Sequence, residues 1–333
     1  MMAKKRTTAR SRKGRKKQKV SFESWLKRLI LSAIGVVLGS IGSLFLYSYF
    51  YPAGQKSNRN DKQFEVSSSF PKRKTESKKD ETPKKKSSPS TEKKPSSSVT
   101  LKFPPNAELP RLTVKRQEQV IRHEGYTVSY NSDYRIANWV AYELTGKEAM
   151  SSRAERSNKF VPDPDVKGAT ATNEDYTRTG YDRGHLAPAG DMRWSAKAMR
   201  ESFYLSNICP QKPGLNRGIW KELEELSRLW AKEAGSLLIV TGPVIEKDMK
   251  RLGKNRVGVP KTFYKVICAI VNNEYQGIGF LFDNRDYGGT SLKSMAVPID
   301  KVEKETGIDF FPSLPDDVEK RMESSVDSSV WSF

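Results

Sequence analysis

An uncharged stretch of 23 residues, from Leu29 to Tyr51, constrains this chain more than any other feature of its sequence. A helix of that length rises about 1.5 Å per residue and spans about 30 Å, the thickness of the hydrocarbon core of a bilayer. Its C-terminal end is rich in aromatic residues, which prefer the membrane interface. A cleaved signal peptide is the alternative, but its apolar core is shorter, about 7–15 residues, and ends in a small-residue cleavage site. We therefore expect residues 29–51 to form an uncleaved transmembrane anchor.

The basic residues around this stretch predict its orientation. Residues 9–28 contain nine Lys and Arg, whereas residues 52–71 contain three. Because basic flanks stay on the cytoplasmic side of a membrane, we expect residues 1–28 to be cytoplasmic and the remainder to be exported. The expected localisation is thus a single-pass membrane protein with its catalytic domain in the periplasm or outside the cell. Anchoring in the mitochondrial inner membrane is the alternative for a eukaryotic source.

The net charge of +20 suggests a polyanionic partner, but it is unevenly distributed. Residues 1–100 hold 25 Lys and Arg against 7 Asp and Glu, a net charge of +18, and the rest of the chain has +2. Residues 52–100 consist mainly of Ser, Lys, Pro and Glu, and such a segment buries too little apolar surface to offset its ordering entropy. We expect a disordered linker there.

Residues 101–315 have the composition of one globular domain, and residues 316–333 are expected to form a flexible, acidic and Ser-rich tail. Strands are predicted at 127–130, 136–144, 237–241, 262–271 and 277–283, and helices at 195–203 and 216–233. This mixture predicts an α+β fold. Two cysteines and two histidines exclude a disulfide scaffold and a His- or Cys-rich metal centre. Cys209 and Cys268 could pair or remain as two buried thiols.

The sequence Asp182-Arg183-Gly184-His185 is the first candidate for chemistry. A glycine there permits a close approach of the backbone, and a Pro-Ala-Gly turn follows the histidine. The imidazole is therefore expected at the end of a strand, where sites are commonly built. A purely structural histidine remains the alternative at this stage.

The helix that begins near Asn216 is the second candidate. Its apolar residues fall on one stripe, and Asn216, Glu224 and Arg228 lie on a neighbouring polar strip. A helix cap followed by a Glu-Arg pair would explain these residues without any function. Together with His185 they could also form a site for Mg²⁺, which prefers oxygen ligands and needs only one or two protein groups.

The ordered set of these motifs strongly resembles the DNA/RNA non-specific endonuclease family, which includes sugar-non-specific secreted nucleases and endonuclease G. The residues that carry the resemblance are Asp182–His185, Tyr204–Asn207, Pro210, Gln211, Leu215, Asn216, Trp220, Leu223 and Glu224. A looser resemblance extends over residues 110–313. It implies a ββα-metal (His-Me finger) nuclease domain with a central, mostly antiparallel sheet flanked by helices, preceded here by the transmembrane helix.

The resemblance also implies roles for individual residues. His185 would be the general base, Asn216 the one direct protein ligand of the metal, and Glu224 the residue that holds the metal's water molecules. Arg156 is the expected transition-state arginine, with Arg153 as the alternative because the match is gapped there. Support for the phosphate and the acidic network would come from Arg183 and Arg228, while Asp182 would fix local geometry near the substrate.

The implied function is a sugar-non-specific endonuclease that hydrolyses phosphodiester bonds of DNA and RNA to products with 5′-phosphates. Mg²⁺ is the expected cofactor and Mn²⁺ a possible substitute. The expected partners are DNA, RNA, the membrane through residues 29–51, and a second copy of the chain in a homodimer. The alternative is a non-catalytic, membrane-tethered protein that binds nucleic acid with the same fold.

Overall fold

Seven strands form one antiparallel sheet at the centre of the part of the chain that the structure, a computed structural model, describes, residues 100–333. From one edge to the other they are Ala296–Val297 (β12), Glu274–Asp283 (β11), Thr262–Val271 (β10), Ser236–Pro243 (β7), Ile136–Thr145 (β4), Thr127–Asn131 (β3) and Gln119–Arg122 (β2). Every neighbouring pair is antiparallel. The long strands β4, β7, β10 and β11 form the middle of the sheet, which is rich in β-branched and aromatic residues.

Three short antiparallel pairs accompany this sheet. They are Arg111–Leu112 (β1) with Ile308–Asp309 (β13), Asp182–His185 (β5) with Ile208–Gln211 (β6), and Lys250–Leu252 (β8) with Val257–Val259 (β9). The α-helices are Gly146–Ala149 (α1), Asn173–Tyr176 (α2), Ala196–Glu201 (α3), Pro213–Asn216 (α4), Ile219–Ala234 (α5), Ile299–Thr306 (α6) and Asp316–Glu323 (α7). Two 3₁₀ helices span Leu205–Asn207 and Leu292–Met295.

The two faces of the sheet bury different hydrophobic clusters, since successive side chains of a strand point to opposite faces. In β10, Phe263 and Ile267 belong to the cluster that includes Trp220 of α5. Tyr264 and Val266 belong to the cluster that includes α6 and α7. The domain therefore has three layers, with α5 on one face of the sheet and the C-terminal helices on the other.

Helix α5 and the β5–β6 pair together position the candidate functional residues. The two strands pair antiparallel, with Gly184 opposite Cys209 and His185 opposite Ile208. Helix α5 is amphipathic and begins after Gly218, and its buried side chains, Ile219, Trp220 and Leu223 among them, pack on the sheet. Two strands and the helix that follows them thus meet at the C-terminal end of β5.

The sequence-based prediction of an α+β domain with a central antiparallel sheet is confirmed. The strand predicted at 262–271 has these bounds in the structure, and the other four predicted strands are longer by one to three residues at one or both ends. The two predicted helices correspond to α3 and α5. Helix α5 starts at Ile219 rather than at Asn216, because Asn216 ends the separate short helix α4.

The structure does not support the predicted transmembrane helix. No helix within residues 100–333 is long and apolar enough to cross a membrane. The longest of them, α5, has 16 residues, seven of which are charged, so it is too short and too polar for the hydrocarbon core. The stretch 29–51 on which the prediction rests, like the basic segment 1–28 and the linker up to residue 99, lies outside the described residues.

The segment 316–333, predicted as a flexible tail, begins with helix α7 and ends in an ordered contact. Met322 is 6% exposed and Trp331 is 3% exposed. The Trp331 ring lies 4.9 Å from the ring of Trp230, in an edge-to-face arrangement. These few apolar residues hold the segment in place because they bury large side chains. The acidic, Ser-rich composition around them had led to the prediction of a flexible tail.

The two cysteines are both free and buried. Cys209 belongs to the cluster on the α5 side of the sheet, and Cys268 to the cluster on the opposite side. Because the sheet separates them, a disulfide between them is excluded.

We expect Gly184→Ala to destabilise the domain by about 1–3 kcal/mol, because an added methyl group would overpack a full site. A Cβ at residue 184 would lie 2.0 Å from Gln211 Oε1 and 2.6 Å from its Cγ, and Gln211 is completely buried. Chemical denaturation measures the change. The control is Gly288→Ala, since a Cβ there meets nothing within 4 Å. Equal stability of the two variants would contradict the expectation.

Candidate active site

A cleft of about 430 Å³ lies between the end of β5 and helix α5. Its lining consists of Arg156, Arg183, His185, Pro188, Ala189, Gly190, Asn216, Arg217, Lys221, Glu224, Glu225 and Arg228. Six of the seven residues that the sequence analysis singled out line this one cleft, although 72 residues separate the first from the last. The seventh, Asp182, bonds to two of the lining residues. The structure therefore brings the whole predicted set together.

His185 ends strand β5 and is 8% exposed. Its ring packs against two aromatic rings that also contact each other, 4.8 Å from Phe203 and 5.4 Å from Phe160. Its backbone carbonyl accepts a hydrogen bond of 3.3 Å from Trp220 Nε1, so α5 holds the strand end directly. Nε2 of the ring is buried and has no partner among the described residues.

The surroundings of His185 keep its imidazole neutral. Burial, and then the positive charge of Arg156, lower the pKa of His185 from 6.5 to about 3. A neutral imidazole has a free nitrogen lone pair and can accept a proton at neutral pH. A ring nitrogen is therefore free to take a proton at neutral pH, while the burial that lowers the pKa also makes this imidazole a weaker base than one in water.

Asp182 fixes the position of Asn216. Asn216 Nδ2 donates a hydrogen bond of 3.0 Å to Asp182 Oδ2, and Arg217 donates to both oxygens of the same carboxylate at 2.7 and 2.6 Å. Burial alone would raise the pKa of Asp182, but the hydrogen bonds from Arg217 and Asn216 outweigh it and lower the pKa. Since the amide nitrogen is engaged by an ionised carboxylate, the amide oxygen of Asn216 is the atom left for a further ligand.

Glu224 belongs to a network of charges beside the cleft. Burial raises its pKa to about 7, Lys265 and Arg228 act in the opposite direction, and Asp191 adds to the rise. Arg228 Nη1 donates to Asp191 Oδ1 at 2.8 Å, and the Tyr142 hydroxyl donates to the other oxygen at 2.8 Å. Two buried carboxyl groups and two cations thus balance one another near the cleft.

Arg156 and Arg153, the two candidates for the transition-state arginine, have different positions. Arg156 lines the cleft, its guanidinium lies 5.1 Å from the centre of the Phe203 ring, and its Nε donates to Asn158 Oδ1. Arg153 is exposed and does not line the cleft. Arg183 lines the cleft as well, and its guanidinium donates to the Asn173 carbonyl at 2.8 Å.

Three further residues near the cleft were not predicted from the sequence, namely Lys265, Asp191 and Tyr142. Lys265 is 1% exposed, lies in the centre of β10, and places its Nζ 5.0 Å from the centre of the Trp220 ring. A signal was present in the sequence, because a lysine at an inward position of the apolar strand Thr262–Val271 must have a charged partner. Asp191 carried no such signal, since it lies in a turn, where an aspartate is ordinary.

Two other groups of side chains in residues 100–333 have the spacing of metal ligands, and neither lines the cleft. One is His123, Asp163 and Asp165, and the other is Asp300, Glu303 and Glu323. In the first, His123 Nε2 lies 3.0 Å from Asp163 Oδ2, which also accepts from the Ser206 hydroxyl at 2.5 Å. That carboxylate is therefore already satisfied, and His123 has a structural role.

Comparisons with known proteins give the family of this chain. The family model described as DNA/RNA non-specific endonuclease matches residues 106–317. Mitochondrial nuclease EXOG of Danio rerio is 36% identical over 58% of this chain and 60% of its own length. Mitochondrial endonuclease G of Homo sapiens is 34% identical over 62% of this chain and 74% of its own length. A chain of the solved EndoG/EndoGI complex superimposes with a TM-score of 0.57 at 31% identity, covering 60% of this chain and 89% of that one.

The match to the first of these relatives, the Danio rerio nuclease, spans about three fifths of that relative's length. The resemblance of the sequence to the DNA/RNA non-specific endonuclease family is confirmed, and with it the expectation of a nuclease.

The predicted localisation is wrong. The sequence analysis expected a single-pass membrane protein with a periplasmic or extracellular catalytic domain. The relatives reported above are mitochondrial nucleases by name, and residues 100–333 contain no helix able to span a membrane. Basic flanking residues assign a side of the membrane only to a segment that crosses it.

The buried neutral His185 predicts how stability depends on pH. Its pKa is about 3 in the folded protein against 6.5 as the ordinary value, so the unfolded chain binds one more proton between these limits. The free energy of unfolding should therefore fall as the pH drops from about 6.5 towards 3, by at most about 1.4 kcal/mol per pH unit. His185→Asn lacks this dependence. Denaturation curves of the wild type and of His185→Asn at pH 7, 6, 5 and 4 give the two free energies of unfolding. A difference between these free energies that stays constant with pH would contradict the prediction.

Proposed function

The chain belongs to the family of DNA/RNA non-specific endonucleases, and we propose that it hydrolyses phosphodiester bonds of both DNA and RNA in the cleft between β5 and α5. One observation carries this proposal. A buried neutral histidine, an asparagine held by a carboxylate, a glutamate and an arginine, namely His185, Asn216, Glu224 and Arg156, line a single open cleft. Phosphodiester hydrolysis needs a base, a metal-binding group and a cation for the developing charge, and this set provides them.

The residues present fit a magnesium ion. Among residues 100–333, Asn216 Oδ1 accepts no hydrogen bond, while its amide nitrogen is fixed by Asp182. An amide oxygen and the Glu224 carboxylate are hard oxygen donors, and Mg²⁺ binds to few protein groups while keeping several waters. We propose that Asn216 holds the ion directly and that Glu224 orders its water molecules. Bound there, Mg²⁺ would stabilise the charge that develops on the phosphate and on the departing 3′ oxygen.

His185 would act as the general base. Its neutral imidazole accepts the proton of the attacking water, and the aromatic rings of Phe160 and Phe203 restrict the plane of the ring. The hydrogen bond from Trp220 to the His185 carbonyl fixes the strand end relative to the helix that carries Glu224. In-line attack with departure of the 3′ oxygen leaves a 5′-phosphate on the product.

Arginines around the cleft would bind the phosphates of the substrate. The cations that line it are Arg156, Arg183, Arg217, Lys221 and Arg228. Such contacts position a nucleic acid without reading its sequence. Beside Asp182 in the chain, the Tyr181 ring has two cations near it, since Lys212 and Lys250 place Nζ 4.5 and 5.6 Å from its centre. Alternating cations and aromatic faces suit single strands of either sugar.

Digestion of supercoiled plasmid and of single-stranded RNA by the full chain tests the proposal. We expect both to be cut with Mg²⁺, to remain intact with EDTA, and to yield ends that a ligase can seal because they carry 5′-phosphates. His185→Ala should lower kcat about 10²–10⁴-fold, as loss of a general base does. Glu224→Gln should lower the rate too, whereas Glu222→Gln, on the exposed side of the same helix, should not.

If the wild type leaves both substrates intact with Mg²⁺ and with Mn²⁺ but still retards DNA in a gel, the protein only binds nucleic acid. That result would favour the non-catalytic alternative. Cleavage of DNA alone or of RNA alone would limit the proposed substrate to that nucleic acid and would still support phosphodiester hydrolysis.

We expect Arg156→Ala to lower kcat about 10²–10³-fold, the usual cost of losing one preorganised group that stabilises transition-state charge. The matched control is Arg153→Ala, since Arg153 is exposed outside the cleft and its loss should leave kcat near the wild-type value. Single-turnover rates on a short duplex measure both. The reverse result would assign the role to Arg153.

A further inference from the structure

A cluster of acidic residues lies on the face of the sheet opposite the cleft, where α6 and α7 pack. It consists of Asp300, Glu303, Asp309, Glu319 and Glu323. Ligand oxygens of three of them, Asp300, Glu303 and Glu323, lie within 4.8 Å of one another. None of the five lines the cleft.

Glu323 is the most constrained member of the cluster. The residue is 4% exposed, and its Oε1 is buried without a hydrogen-bond partner among the described residues. Its carboxylate is one of the three that converge, so the unpartnered group points into the cluster. A buried carboxylate with no donor is costly, and two neighbouring carboxylates increase that cost.

No basic side chain in residues 100–333 forms an ion pair with the three converging carboxylates. Arg111 pairs with Asp309, and Arg321 pairs with Asp317 at 3.8 Å. Arg116 donates to the Thr306 carbonyl instead. One donor is present, because the Phe310 amide donates to Glu303 Oε1 at 2.8 Å. The three converging carboxylates of Asp300, Glu303 and Glu323 thus have no cationic partner among the described residues, whereas Asp309 beside them is paired.

We propose that Asp300, Glu303 and Glu323 bind a calcium ion that ties α7 to α6. The ligands are all carboxylate oxygens, which excludes a preference for zinc, an ion that favours nitrogen and sulfur. Ca²⁺ accepts several carboxylates in flexible geometry and takes up to eight ligands, so it tolerates a half-exposed site built from two helices. Mg²⁺ demands a smaller and more regular arrangement.

The packing around the cluster shows what the ion would stabilise. A Cβ added at Gly277 of β11 would lie 2.7 Å from Ile299 of α6 and 2.9 Å from Met322 of α7, so both helices press on the sheet at that point. An ion between Glu303 and Glu323 would hold the two helices together over β11. It would act on the stability of the C-terminal region and leave the chemistry of the cleft unchanged.

Without a cation, the cluster would have to hold protons instead. Burial, and then the charges of Glu303 and Glu319, raise the pKa of Glu323 to about 9. Sharing of protons is therefore the competing outcome of the test.

The experiment uses the full chain and CaCl₂ at neutral pH, with calorimetric titration and thermal unfolding as the two measurements. We expect Ca²⁺ to raise the Tm of the wild type, and Glu323→Gln to weaken the Kd at least about tenfold, because affinity follows the number of charged ligands. Glu305→Gln is the matched control, since Glu305 is an exposed carboxylate on α6, the helix of Asp300 and Glu303, and lies outside the cluster. Asn216→Ala, in the cleft, should keep the full shift.

Three results would overturn the proposal. The first is a Ca²⁺-dependent shift in Tm that persists in Glu323→Gln. The second is a shift that disappears in Asn216→Ala, which would place the ion in the cleft. The third is no shift in the wild type, with Glu323→Gln more stable than the wild type in the absence of Ca²⁺, which would show that the carboxyl groups share protons. None of these results depends on whether the cleft cuts nucleic acid.

Discussion

Trp220 is the side chain through which the sheet, the helix and the site are held in one arrangement. It is completely buried, and its ring meets Phe263 and Phe282 edge to face at 5.8 and 5.9 Å. Its indole N–H donates to the carbonyl of His185, and the Lys265 ammonium lies 5.0 Å from the ring centre. The packing of α5 on the sheet and the position of the site histidine are therefore set by the same residue. A large aromatic side chain with one polar atom suits this task, since it buries much apolar surface and bonds in one direction.

Charge compensation distinguishes the two acidic regions of the domain. Near the cleft, Glu224 and Asp191 are balanced by Arg228 and Lys265, and the hydroxyl of Tyr142 completes the bonding of Asp191. At the C-terminal helices, Glu303 and Glu323 converge without such a partner in the described chain. Both regions bury carboxylates, and burial without compensation is unstable in either place. Because cations of the protein balance the carboxylates near the cleft, that region is a network of protein groups. Because none among the described residues balances Glu303 and Glu323, the region at the C-terminal helices is interpreted as a cation site.

The near-neutral globular part also changes how substrate binding is explained. A net charge of +2 over residues 101–333 gives little long-range attraction for a polyanion. The cations that matter are those whose positions the fold fixes around the cleft, such as Arg156, Arg183 and Arg217. A local set of guanidinium groups can bind phosphates even where the whole domain is almost neutral, because interactions between exposed charges fade over about 8–10 Å at physiological salt.

The sequence by itself determined the family, the α+β class, most strand positions and the residues of the cleft. It could do so because strands alternate, helices repeat every 3.6 residues, and the site motifs keep a fixed order along the chain. Only the tertiary structure decided between Arg156 and Arg153 as lining residues, separated Cys209 from Cys268, and packed Trp331 against Trp230. It also revealed Lys265 beside Trp220 and the convergence of Asp300, Glu303 and Glu323. These features depend on which distant side chains meet across a sheet or between two helices, and a local pattern in the sequence carries no record of such distances.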